Sequence, residues 1–135
     1  MSFDMSSMNL WAVLVSVVIS MVFGALWYSP VLFGNVWMKL VGLKPGETRT
    51  ATGPMIGTVI MTIIATYLLA VFIELAGATT AMEGLVVGLL LSLVIAAKIA
   101  INYFFEGRGF QLYLLTIGFH VIPYLIGGVL LAAWR

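Results

Sequence analysis

The sequence predicts an all-α fold, an integral membrane four-helix bundle with a short interfacial helix in the first cytoplasmic loop. Of its 135 residues, 63% are hydrophobic and 8% are charged, whereas about a quarter of the residues in a soluble domain are charged. Four apolar runs reach the length of about 20 residues that a helix needs to cross a bilayer core. None of these runs alternates polar with apolar residues, as the strands of a membrane barrel do.

We expect one transmembrane domain over residues 1–135, with membrane helices at about 10–28, 55–75, 85–105 and 112–134. Thr80 and Glu83 have the spacing of a capping box, which marks the start of the third membrane helix. In the first loop, apolar side chains recur at helical spacing over about 31–42, which predicts a short helix lying in the membrane interface.

The basic residues favour one orientation in the membrane. The first and third loops carry Lys39, Lys44, Arg49 and Arg108, whereas the opposite side carries only Arg135. Because cytoplasmic loops are enriched in Lys and Arg, we expect these two loops in the cytoplasm and both termini outside.

Two polar residues are predicted to lie inside the third membrane helix. Lys98 and Asn102 are one turn apart and therefore share a face. The simplest interpretation is a lysine whose ammonium reaches the interface along its own stem. The alternative is a charge that faces a cavity or an acidic partner, because ionisable groups in a membrane span are costly and are commonly functional.

The fourth membrane helix carries the only histidine of the chain, His120, followed one turn later by Tyr124. Three interpretations of His120 stay open: a hydrogen bond to a neighbouring helix, titration in a proton path, or axial ligation of a haem or chlorophyll-type ring. With Lys98 and Asn102, these residues form a candidate intramembrane polar site. We expect no bound cofactor and no metal, because zinc needs several His or Cys ligands.

Aromatic residues cluster where the first membrane helix ends. Trp27, Tyr28 and Trp37 are typical of an interfacial belt, and Pro30 turns the chain because the residue before a proline avoids helical geometry. The alternative is a site for a ligand or a lipid headgroup built from these three side chains.

Small residues recur at every fourth position on two membrane helices. The first carries Ala12, Ser16, Ser20 and Gly24, and the third carries Gly84, Gly88, Ser92, Ala96 and Ala100. Such rows allow close helix packing in lipid. Since Lys98 and Asn102 lie on a different face, we expect the third helix to be central, or a second chain to cover its remaining face.

The segment Gly24–Trp37, with its Trp-Tyr-Ser-Pro-x-x-Phe-Gly-x-x-Trp pattern, resembles the signature of a bacterial membrane family called domain of unknown function 1761. Residues Asn102–Arg108 and the closing glycine-rich helix that ends at Trp134 are also similar to it. The resemblance implies four helices and a membrane location, and it implies no reaction. We expect the membrane to be the bacterial cytoplasmic (inner) membrane.

Composition and motifs narrow the possible functions. A net charge of +1 argues against a nucleic-acid partner. The lack of cysteine excludes disulfides and thiol chemistry. The sequence contains no phosphate-binding loop, dinucleotide fingerprint or catalytic triad. We therefore expect that the protein is not an enzyme. The leading hypothesis is a structural or accessory protein that packs with itself, with lipid or with a larger membrane complex. The alternatives are a small dimeric proton-coupled transporter and a module that binds a lipophilic ligand or pigment.

Overall fold

A computed structural model describes residues 9–29, 32–40 and 52–134, with side chains from Ile56 onward in the last range. These residues form five α-helices and no strand, which confirms the predicted all-α class. The four long helices are each long and apolar enough to cross a membrane. The helices are α1 (Leu10–Trp27), α2 (Gly34–Leu40), α3 (Thr52–Ala76), α4 (Ala81–Glu106) and α5 (Phe110–Ala133).

The observed helix ends lie within four residues of the predicted ones. Helix α2 falls inside the predicted interfacial segment, of which residues 31, 41 and 42 lie outside the described ranges. The capping box at the start of α4 is confirmed: the Glu83 N–H donates to Thr80 Oγ1 at 3.2 Å and the Thr80 N–H donates to Glu83 Oε1 at 3.2 Å. Gly107 ends α4 with a φ of +67°, a conformation that glycine adopts without steric cost.

Helix α5 is the centre of the bundle, because it contacts each of the other four helices. Helix α4 packs mainly against α5 and only lightly against α3, while α1 packs against α3 and α5. The expectation that the third membrane helix is central is therefore wrong, and the alternative, a second chain that covers its remaining face, stays a prediction. That helix is α4, and it lies at the edge of the bundle, because α5 is its one extensive neighbour among the described helices.

The small residues of α4 bring its backbone into contact with that of α5. Gly84, Gly88, Ser92 and Ala96 are all buried. A Cβ atom on Gly84 would collide with the carbonyl oxygen of Gly128, and one on Gly88 with the carbonyl oxygen of Tyr124. Close backbone approach of this kind is a main source of helix association in lipid. The predicted packing role of this row is confirmed.

Hydrogen bonds join the same two helices nearer the third loop. The Tyr113 hydroxyl donates to the Ala96 carbonyl oxygen at 2.8 Å. The Tyr103 and Thr116 hydroxyl oxygens are 2.7 Å apart. These bonds satisfy hydroxyl groups that would be costly to leave unpaired in hydrocarbon. They also fix the register of α4 on α5.

The most buried apolar residues lie at the opposite end of the bundle. There the Asn9 side-chain amide donates to the Trp134 carbonyl oxygen at 3.3 Å, which joins the start of α1 to the end of α5. The start of α1 and the end of α5 therefore lie on the same side of the bundle. The core cluster at this end draws on α1, α3, the turn after α3, and α5, through Ala12, Val13, Leu69, Ala70, Ile73, Ala78, Leu131 and Ala132.

Replacing Gly88 by alanine should destabilise the protein, because the added methyl group meets a backbone carbonyl that cannot move aside alone. We expect a loss of about 1–3 kcal/mol in unfolding free energy, as for other overpacked sites. Denaturant unfolding in detergent micelles, followed by circular dichroism, measures the change.

The matched control is Gly57→Ala on α3, because a Cβ atom at Gly57 would have no neighbour within 4 Å. Both variants share the gain in helix propensity on replacing glycine. Equal stability of the two variants would contradict the backbone contact between α4 and α5.

Candidate functional site

Five aromatic side chains from α1, α2, the connection between them and α5 lie near the end of α1. We call Trp27, Tyr28, Phe33, Trp37 and Phe119 the aromatic cluster. The ring centroids of Trp27 and Phe33 are 4.5 Å apart, those of Tyr28 and Trp37 are 5.7 Å apart, and those of Tyr28 and Phe119 are 5.2 Å apart. Of the three predicted residues, Tyr28 and Trp37 are therefore in ring contact, whereas Trp27 packs against Phe33.

A tight turn after α1 forces this arrangement. The Phe33 N–H donates to the Trp27 carbonyl oxygen at 3.0 Å, and the Gly34 N–H donates to the Ser29 carbonyl oxygen at 2.8 Å. Gly34 is buried, and a Cβ atom there would collide with the carbonyl oxygen of Tyr28. Helix α2 therefore begins directly against the end of α1.

The indole of Trp27 points into the bundle. Its Nε1–H donates to the Leu115 carbonyl oxygen at 2.9 Å. The ring also fills the space beside Gly118, where a Cβ atom would approach it to 2.7 Å. Trp27 thus fastens α1 to α5, and its only hydrogen-bond donor is used inside the protein instead of at a lipid headgroup.

Helix α1 is short, so it ends before it reaches the level at which α5 begins. It has 18 residues, against 26 in α4 and 24 in α5. Since Trp27 bonds Leu115, the five residues of α5 from Phe110 to Leu114 extend about 8 Å beyond this level. Helix α2 contacts α5, and Trp37 of α2 together with Phe33 just before it covers the end of α1.

His120 and Tyr124 are half-buried on α5. The imidazole lies edge-on to the ring of Phe119, with centroids 5.1 Å apart, and so adjoins the aromatic cluster. Among the described residues, neither the imidazole nor the Tyr124 hydroxyl has a hydrogen-bond partner. The hydrogen bond from His120 to a neighbouring helix, one of the three interpretations, is therefore not formed within this part of the chain.

Lys98 and Asn102 are exposed on α4. Two residues of α-helix turn through about 200°, so Lys98 points away from Ala96, which faces α5. The four residues of the candidate polar site therefore lie in two places: His120 and Tyr124 on α5, and Lys98 and Asn102 on the outer side of α4. Within the described ranges, neither Lys98 nor Asn102 makes a hydrogen bond or an ion pair.

Several polar contacts were not predicted from the sequence. The pairing of Tyr103 with Thr116 and the bond from Tyr113 to Ala96 were both missed. A signal was present, because Tyr113, Thr116 and His120 recur at helical spacing on one face of α5.

Charge near the third loop is paired at the surface. Arg108 Nε lies 2.6 Å from Glu106 Oε2, and both side chains are about half exposed, so the pair is worth only about 0–1 kcal/mol. Within the described residues, no group of three or more His, Cys, Asp or Glu side chains could hold a metal ion.

An open groove of about 390 Å³ lies where α1 and α4 flank α5. Its lining is entirely aliphatic and contributes no charged or polar side chain. The lining residues are Ile19, Leu85, Leu125, Ile126, Val129 and Leu130.

Comparison with known proteins shows the family to which the chain belongs. A family model described as "Protein of unknown function (DUF1761)" matches residues 11–132, which include α2, α3, α4 and nearly all of α1 and α5. The chain belongs to the DUF1761 family. The resemblance noted in the sequence is therefore confirmed, and the matched region of this DUF1761 protein contains every candidate site residue. No curated protein and no solved structure matches the chain significantly.

Replacing Trp27 by phenylalanine should remove the hydrogen bond to Leu115 and keep most of the ring packing. We expect a loss of about 0.5–1.5 kcal/mol in unfolding free energy, the usual net worth of one such bond. Tryptophan fluorescence and circular dichroism during denaturant unfolding measure it.

Trp11→Phe is the control, because Trp11 is 70% exposed and its indole makes no hydrogen bond among the described residues. If both substitutions cost the same, the indole of Trp27 does not fasten α1 to α5.

Proposed function

We propose that this DUF1761 protein is a structural or accessory protein of the bacterial inner membrane that attaches to another membrane protein through the outer side of α4. The observation that carries the proposal is the exposure of Lys98 and Asn102 on a helix whose other exposed side chains, away from its two ends, are apolar. The proposal includes no catalytic role and no cofactor.

The position of Lys98 makes its exposure costly. It lies eight residues before the end of α4 at Glu106, which is about 12 Å along the helix. A lysine at the centre of a membrane helix costs about 2.5–3.5 kcal/mol. The cost at Lys98 is below this value because the residue lies nearer one end of α4 and its stem reaches toward the interface. A neighbouring protein that offers hydrogen-bond acceptors would recover the remainder.

The separation of the polar residues favours this proposal over a transporter. A proton-coupled path would use Lys98, Asn102 and His120 along one route. Lys98 and Asn102 instead lie on the side of α4 turned away from α5, which carries His120. A route through all three would have to cross the closely packed contact between α4 and α5.

A second candidate function is binding of a lipophilic ligand beside His120. The half-buried imidazole has no hydrogen-bond partner among the described residues and adjoins the aromatic cluster. A ligand with a polar group could supply that partner. Native mass spectrometry of protein from its own membrane would then show a retained organic molecule, and a His120→Phe variant would lose it. A spectrum with no such molecule would exclude this candidate.

A photo-crosslinking residue at Val94 should capture a second protein in the native membrane, because Val94 is exposed one turn before Lys98. We expect a heterologous adduct of defined mass, and native mass spectrometry should show the two chains in a fixed ratio. The same residue at Met61 on α3, where the side chain is 60% exposed, is the control. Equal capture at both positions, or adducts with lipid alone, would contradict an accessory role through α4.

The proposed orientation places both termini outside and the first and third loops in the cytoplasm. The chain contains no cysteine, so single cysteines can report it. An impermeant maleimide should label Thr79→Cys in the second loop of spheroplasts with an intact inner membrane, and should label Arg108→Cys in the third loop only after permeabilisation. The reverse pattern would invert the proposed orientation.

A further inference from the structure

The outer side of α4 presents a continuous row of exposed residues at every fourth position. We call Val86, Leu90, Val94, Lys98 and Asn102 the outer row. Its first three members are aliphatic, and its last two are polar and lie toward the third loop. A partner helix lying along this row would meet apolar side chains first and a cation with an adjacent amide at one end.

From this pattern we infer that the partner is a different protein that presents a membrane-embedded carboxylate at the depth of Lys98. The inference rests on the proposed accessory function and names the chemistry of its partner. A carboxylate offers two oxygens that together accept several hydrogen bonds. It can therefore receive the Lys98 ammonium and the Asn102 amide, which lie one turn apart on the same row.

The carboxylates that the structure describes in this chain do not provide such a partner for Lys98. The described acidic residues, Glu74, Glu83 and Glu106, all lie within the first or last turn of a helix. Glu106 is already paired with Arg108 at 2.6 Å, and Glu83 belongs to the capping box at the far end of α4.

A second copy of the chain is also an unfavourable partner for the outer row. Twofold pairing through this row would place Lys98 near the same residue of the other copy, and like charges in a low-dielectric interface repel. The described part of the second copy would bring no carboxylate to that depth. Charge complementarity thus favours an acidic helix from another protein.

Defined peptides in liposomes test this inference without knowledge of the native partner. The probe is a polyleucine transmembrane helix of about 20 residues with one Glu two turns from its end. The reference peptide has Gln at that position. The full-length protein carries a donor dye on Gly109→Cys, where added atoms meet no neighbour within 4 Å, and energy transfer to a dye on the peptide reports association.

We expect the Glu peptide to associate about tenfold more tightly than the Gln peptide, within the range measured for polar contacts between membrane helices. Lys98→Met should abolish this preference, and Lys98→Arg should keep it. The matched control Val94→Met, one turn earlier on the outer row, should keep the preference as well. Unfolding curves of all variants should coincide, because the outer row is exposed.

Equal association of the Glu and Gln peptides would overturn the inference, as would a Glu preference that survives Lys98→Met. Either result would leave the accessory function standing, provided Val94 still captures a partner in native membranes. Loss of that capture, with the peptide preference intact, would instead overturn the accessory function and leave the carboxylate chemistry of the outer row established.

Discussion

The backbones of α4 and α5 touch, and this contact determines which residues of α4 face inward and which face outward. Glycines permit it at Gly84, Gly88 and Gly128, where a single added methyl group would meet a carbonyl oxygen of the facing helix. A contact so close allows one rotation of α4 about its axis. That rotation places Ser92 and Ala96 inside and turns Lys98 and Asn102 outward. The exposed lysine is thus a consequence of glycine packing.

The short α1 shapes the opposite flank of α5. Its 18 residues span about 27 Å, slightly less than a hydrocarbon core of about 30 Å. The turn after α1 places α2 against its end, and the aromatic cluster fills the junction with α5. Trp27 and Phe119 therefore link the end of α1 to α5, Trp37 adds α2, and His120 adjoins Phe119. Two distinct polar regions result, one beside the aromatic cluster and one on the outer row.

Composition and helical period were sufficient to predict the four membrane helices, the capping box at Thr80 and the packing role of the glycine row on α4. They could not predict which helix is central. Several helices carry small or hydroxylated rows, and the sequence does not state which two rows meet. For the same reason Lys98 and His120 looked like members of one site. Helical period shows which residues of one helix share a face, whereas the depth and neighbour of each face depend on contacts such as that between Gly88 and Tyr124.

The central claim is the rotation of α4 about its axis, which turns one face toward α5 and the opposite face toward lipid. Mapping the residues of α4 that contact lipid tests this rotation directly and needs no substitution in the chain. The full chain would be placed in liposomes whose acyl chains carry a photoactivatable diazirine, and insertion sites would be mapped by peptide mass spectrometry. The structure predicts insertion along α4 at Val86, Leu90, Val94 and Lys98, and none at Gly88, Ser92 and Ala96. Insertion at Ser92 and Ala96 with protection of Val94 and Lys98 would contradict the account.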